Sequence, residues 1–260
     1  MSIKCQSKWL RSLKSRSQER SRICVFPYAG GSAAAFCRWR ERLPHWISLE
    51  LVQLPGRESR SNEFPASRVS DIVLPVADAL LSENTPLVLF GHSMGSILAF
   101  ELARELRRNS GVTVSALIVS GRGAPQGICR APNIAHLESR EMVDRLIKMY
   151  GGIPAEVLDD PQLVDVMARV LKPDLKIVEC YNYSPEPPLD CPIAAFGGAY
   201  DPWVKLSELL AWNKQTCREF QYKLFPGNHF YFRMQDNEAS LLSKLRIICG
   251  SVCGFASECS

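Results

Sequence analysis

The residues with the clearest chemical potential are Gly91-His92-Ser93-Met94-Gly95. The apolar run Leu87-Val88-Leu89-Phe90 precedes them, and the helix-forming Ile97-Leu98-Ala99-Phe100-Glu101-Leu102-Ala103 follows. Strand, tight turn and helix is the context in which Gly-x-Ser-x-Gly acts as a nucleophile elbow, with the serine hydroxyl presented at the top of a sheet. The glycines let strand and helix approach without a Cβ clash. A serine nucleophile needs a base, and the base needs an orienting acid. In hydrolases of this design the chain order is Ser, then Asp or Glu, then His. There are four histidines. His45 precedes Ser93 and follows Leu43-Pro44, a surface context. His92 is the neighbour of Ser93 on a sharp turn and points elsewhere. His136 has no acid at a strand end between it and Ser93. His229, in Pro226-Gly227-Asn228-His229-Phe230, directly follows the strand-like Phe220-Gln221-Tyr222-Lys223-Leu224-Phe225 and is the expected base.

The acid must lie between them. Asp201 follows a buried-strand pattern, a glycine break and a loop, Cys191 to Tyr200, and Pro202 holds it extended or in a turn. Asp174, Glu179 and Asp190 fall in helical or proline-rich stretches, and the strand Ala116-Leu117-Ile118-Val119-Ser120 ends in Gly121-Arg122-Gly123 with no acid at its tip. Asp201 is therefore the expected acid, the alternative being a turn or capping aspartate. One oxyanion donor is expected to be the backbone N–H of Met94, after the nucleophile. The second is assigned to the N–H of Ala29, with Tyr28 as runner-up, in Pro27-Tyr28-Ala29-Gly30-Gly31-Ser32 after the early strand Ile23-Cys24-Val25-Phe26. Elbow and triad alone permit an esterase, a lipase or a peptidase equally.

The elements that must position these residues alternate as a mostly parallel sheet requires. Strands are expected near 22–27, 48–54, 86–91, 115–120, 192–197 and 219–225, and helices near 33–43, 68–82, 94–108, 203–214 and 236–248. Pro75 should kink the second of these helices or delay its start. The fold class is α/β: a central sheet flanked by helices, with a helical insertion from about 123 to 190. That insertion, with helical patterns at 141–150, 161–171 and 174–181, falls between two core strands and should cap the site. Met142, Val143, Leu146, Met149, Leu163, Val166 and Met167 either line a channel beneath it or pack its helices together.

Length and composition agree. At 260 residues one α/β domain is expected, with residues 1–21, rich in Ser, Lys and Arg, as a flexible tail and 22–260 as the domain. A formal charge of +4 is too small and dispersed to suggest nucleic acid. There is no signal-peptide core and no membrane-spanning apolar run. The ten cysteines are scattered without paired Cys-x-x-Cys sets, which points to reduced thiols in the cytoplasm, several of them (Cys24 among them) acting as small hydrophobes.

Phe26-Pro27-Tyr28-Ala29-Gly30-Gly31, Gln53-Leu54-Pro55-Gly56-Arg57-Glu58, the Ser93 elbow, Gly197-Gly198-Ala199-Tyr200-Asp201-Pro202 and Gly227-Asn228-His229-Phe230 occur in this order. Together, from about Trp9 to the last helix, they resemble the type II thioesterases of polyketide and nonribosomal peptide synthetases. The resemblance implies the α/β-hydrolase fold, a lid over an acyl channel, and the same triad of Ser93, Asp201 and His229 with Ala29 and Met94 as donors. It implies hydrolysis of acyl groups from the phosphopantetheine arm of a carrier domain, editing misprimed or stalled chains. The triad chemistry requires no metal or diffusible cofactor, and a monomer is expected. Arg140, Arg145 and Lys148 are candidate carrier contacts, or else solvated helix faces. Tyr28 departs from the pattern, where many relatives carry His, and Cys249, Cys253 and Cys259 match nothing in it. An acyltransferase, a general carboxylesterase, or a non-catalytic module docking on a synthetase are the competing readings.

Overall fold

The computed structural model describes residues 7–13, 19–81, 85–109, 112–127 and 132–254. Seven strands form one sheet in the order β1-β3-β2-β4-β5-β6-β7. They are β1 (Leu10–Leu13), β2 (Ser21–Phe26), β3 (Ile47–Val52), β4 (Leu87–His92), β5 (Val114–Ser120), β6 (Ile193–Gly198) and β7 (Phe220–Phe225). Every pairing is parallel except β1 with β3. The six predicted strands are all present. β1 was not predicted: it lies within the stretch read as a tail. Its backbone zips onto β3, and Arg60 lies 4.0 Å above the ring of Trp9 just before it. Cys259 and residues 1–6 and 14–18 lie outside the described residues.

Strand side chains alternate between faces, and this divides the core in two. Cys24, Phe26, Leu87, Leu89, Leu117 and Val119 pack with α2 (Ser70–Leu80) and α3 (Met94–Asn109) on one face. Ile23, Val25, Val88, Phe90, Ala116 and Ile118 pack with α1 (Trp39–Arg42) and α7 (Gln235–Val252) on the other. Both faces are covered, which is why these strands read as continuous apolar runs. α2 starts at Ser70 and runs through Pro75. The proline forfeits one internal hydrogen bond, while Ile72, Val73, Val76 and Leu80 still reach the core.

Between β5 and β6 lie α4 (Ser139–Tyr150), a 3₁₀ turn at Ala155–Asp159 and α5 (Pro161–Glu179). The two helices expected at 161–171 and 174–181 are one helix with Pro173 inside it. Asp160 caps its start, accepting the N–H groups of Gln162 and Leu163. The helix passes through the proline because both halves are packed: Val164, Ala168 and Leu171 belong to the insertion's own core, and Ile177 and Val178 to the sheet core. After β6, α6 (Leu206–Leu210) gives way to a 3₁₀ turn at Ala211–Gln215, shortening the helix expected at 203–214. No helix among the described residues is long and apolar enough to cross a membrane.

Candidate active site

The strand order reverses between β2 and β4. In open parallel sheets the crevice beyond the strand ends at such a switch point is where ligands bind. The loop after β2 carries Ala29, and the turn after β4 carries Ser93. The turn is as tight as its glycines require. A Cβ on Gly91 would lie 2.0 Å from the Gly95 carbonyl oxygen, and one on Gly95 2.3 Å from that of Phe26. Ser93 itself has φ +54°, a left-handed conformation costly for a side-chain-bearing residue. Hydrogen bonds hold the turn: Ser93 N–H donates to the Ser120 carbonyl (2.8 Å), and the Ser96 hydroxyl donates its one proton to the Gly91 carbonyl (2.8 Å) while accepting the Ser120 N–H (3.0 Å). Ser96 and Ser120 carry no sequence signal beyond their positions, and their part in bracing the turn appears only here.

Asp201 and His229 arrive on the loops after β6 and β7. Gly198 makes their meeting possible, because a Cβ there would fall 2.1 Å from the Asn228 carbonyl oxygen. His229 Nδ1 lies 2.7 Å from Asp201 Oδ2, and both side chains are buried. Asp201 Oδ1 accepts the Trp203 N–H at 3.0 Å, which fixes the carboxylate plane. With Nδ1 engaged by Asp201, His229 lines the cavity that Ser93 also lines. Met94 opens α3. The first N–H groups of a helix lack intrahelical acceptors and sit at its positive end. Ala29 and Tyr28 both line the same cavity.

His92 does point away from the elbow, but not away from the site. It is fully buried, its Nδ1 lies 2.8 Å from Ser120 Oγ, and its ring centroid is 5.0 Å from that of His229. Burial, with His229 and Arg233 nearby, pushes its pKa well below the ordinary histidine value. His45 and His136 are exposed.

The cavity is about 450 Å³. Of the seven apolar insertion residues, Leu146, Val166 and Met167 line it, joined by Ile153, Val170, Leu171 and Leu175. Met142 and Val143 are fully buried in the insertion's own core, and Met149 packs against it. Tyr150, at the end of α4, is a wall residue that sequence reasoning missed: its ring lies 4.8 Å from that of His229. Arg140 donates to the Leu158 carbonyl, and Arg145 and Lys148 pair with Glu141 and Asp144 one turn back on α4. All three candidate carrier contacts are thus engaged within the insertion itself.

Fold and site together define an α/β hydrolase with a helical cap over an apolar cavity. The chain belongs to the thioesterase domain family, whose model matches residues 21–249. It is 38% identical to the gramicidin S biosynthesis protein GrsT of Aneurinibacillus migulanus over 86% of this chain and 88% of that protein. Among solved structures it is similar to RedJ, the thioesterase of the prodiginine pathway in Streptomyces coelicolor, at 35% identity and a TM-score of 0.81 over 88% of this chain and 86% of that one. It is also similar to BorB, the type II thioesterase of the borrelidin cluster, at 31% identity and a TM-score of 0.81 over 93% and 96% of the two chains. The family is the one that the ordered motifs led us to expect.

Proposed function

We propose that this chain is an editing thioesterase. It hydrolyses acyl groups from the phosphopantetheine arm of carrier domains in polyketide or nonribosomal peptide assembly, with Ser93 as nucleophile, His229 as base and Asp201 as orienting acid. The observation that carries the reading is the 2.7 Å His229–Asp201 contact in the wall of the apolar cavity that Ser93 also lines. In the acylation step, Ser93 Oγ attacks the thioester carbonyl and its proton passes to His229 Nε2. The N–H groups of Ala29 and Met94 receive the developing oxyanion. Collapse breaks the C–S bond, and His229 returns the proton to the departing thiolate. Water then attacks the acyl-serine ester, again with His229 as base, and releases the free acid. Nothing in these steps calls on a metal or a diffusible cofactor. The relatives' places in gramicidin S, prodiginine and borrelidin biosynthesis support the carrier-bound substrate.

The test is hydrolysis of acyl-loaded carrier protein, with a free acyl thioester and an oxyester of the same acyl group as comparators. The carrier substrate is expected to give the highest kcat/KM. A folded Ser93→Ala protein is expected to lose at least about 10³-fold in turnover and all labelling by a fluorophosphonate. Undiminished hydrolysis by Ser93→Ala would remove Ser93 from the mechanism, and preference for the oxyester would make the protein a general carboxylesterase.

A further inference from the structure

The loop bearing Ala29 is gripped from outside its own strand. Arg57, from the loop after β3, and Asp174, on α5, form a two-point ion pair: Nη1 to Oδ2 and Nη2 to Oδ1, each 2.7 Å. They are 7% and 1% exposed. Both then reach the Ala29 loop. Arg57 Nη1 donates to the Gly31 carbonyl, and Asp174 Oδ2 accepts the Gly30 N–H, each at 2.8 Å. Gly30 has φ +75°, and a Cβ there would lie 2.5 Å from Leu171 Cδ2, on the same helix as Asp174. Helix α5 therefore presses directly on the residue after Ala29.

These contacts set a direction. Gly31 N–H donates to the Tyr28 carbonyl at 2.8 Å. The peptide joining Tyr28 to Ala29 is planar and trans, so its N–H points opposite to that carbonyl. Once Gly31 is held by Arg57 and Gly30 by Asp174, the Tyr28 carbonyl is held too, and the Ala29 N–H must face the other way. Stability alone is a weak reason for the pair, because a buried ion pair is often no more stabilising than an apolar replacement of similar volume.

We propose that Arg57 and Asp174 are positioning residues: their pair aims the Ala29 N–H at the oxyanion and ties that aim to the seating of the capping helix α5. The proposal rests on the reading of Ala29 as an oxyanion donor to an adduct of Ser93. The oxyanion develops in the tetrahedral intermediate and the transition states around it, not in the bound substrate, so a mis-aimed donor lowers kcat and leaves ground-state binding nearly unchanged. A shift on the order of 1 Å in such a group costs about 10²-fold.

Two variants test this on a small acyl thioester. Asp174→Asn is nearly isosteric but breaks the charge pairing. The double variant Arg57→Met with Asp174→Leu removes both charges and both loop contacts and puts apolar side chains in their place. For each, kcat is expected to fall about 10- to 100-fold with KM within about threefold. Affinity for a trifluoromethyl ketone analogue, whose adduct with Ser93 carries an oxyanion, should fall by the same factor as kcat/KM. Affinity for the corresponding thioether, which forms no adduct, should not change. The double variant is expected to melt within a few degrees of wild type, separating aim from stability. Wild-type kcat in the double variant overturns the proposal. So does a trifluoromethyl ketone affinity that stays at the wild-type value in Asp174→Asn, a measurement that stands even if the double variant fails to fold. Ser93→Ala is measured alongside: if it retained turnover, the triad itself would fall and this proposal with it, whereas a dead Ser93→Ala with fully active clamp variants would sink the clamp alone.

Discussion

Ser93 is held at φ +54° by the Ser120 carbonyl and by the closeness of Gly91 to Gly95, so the strain at the elbow is set by the backbone around it. Asp201 is held in a similar way. One carboxylate oxygen takes the Trp203 N–H and the other faces His229 Nδ1. That division makes Asp201→Asn informative. The Asn side chain would keep its oxygen on Trp203 and turn its NH₂ toward Nδ1. Nδ1 must then accept, the proton moves to Nε2, and the ring can no longer act as a base toward Ser93. We expect kcat to fall by roughly 10³- to 10⁴-fold with KM little changed and the circular dichroism spectrum intact. Near-wild-type turnover in Asp201→Asn would exclude Asp201 as the orienting acid.

The insertion works as a pair of elements with distinct attachments. α4 ends over His229, with Tyr150 against its ring, and Trp203 Nε1 donates to the Met149 carbonyl at 2.9 Å. α5 instead holds the Ala29 loop through Asp174. Between them, Met167 and Val166 wall the cavity from α5. A bulkier side chain there shortens the space for an acyl chain without touching the reacting atoms. Met167→Trp is therefore expected to lower kcat/KM for an octanoyl thioester at least about tenfold while leaving an acetyl thioester within about twofold. Each methylene lost from an apolar pocket is worth about 1–3 kcal/mol. Equal losses on both substrates would place Met167 off the acyl path.

At the scale of the molecule, the sheet divides its apolar side chains between two faces, and His92 is buried beneath the site among rings of the α7 face. Its pKa is depressed in the folded protein chiefly by burial. In the unfolded chain it returns to about 6.5. Below that pH the unfolded state binds a proton that the folded state refuses, and stability falls as pH falls. One such group gives a slope of up to about 1.4 kcal/mol per pH unit. Urea unfolding is expected to show a lower midpoint at pH 5.5 than at 7.5, and His92→Gln should flatten that difference. An unchanged pH slope in His92→Gln would assign the effect to other groups.

Local signals carried far in this chain. The elbow, the glycines, the late histidine and the aspartate after a strand are each legible because a tight turn or a strand end restricts residue type within a few positions. Apolar runs marked the buried parallel strands, β4 and β5 above all, because burial on both faces demands continuous apolar character. Strand β1 escaped because a charged four-residue edge strand has no such signature; only its pairing with β3 creates it. The division of α5 failed for the converse reason, since packing on both sides of Pro173 outweighs one lost hydrogen bond. Asp174 is the sharpest case. By sequence it was only a discarded alternative to Asp201, whereas the fold brings it 2.7 Å from Arg57, 117 residues away, and onto the Gly30 N–H. Two charged residues on separate elements leave no periodicity or spacing to read. Their meeting is decided by how α5 lies across the ends of the strands, and only the tertiary structure specifies that.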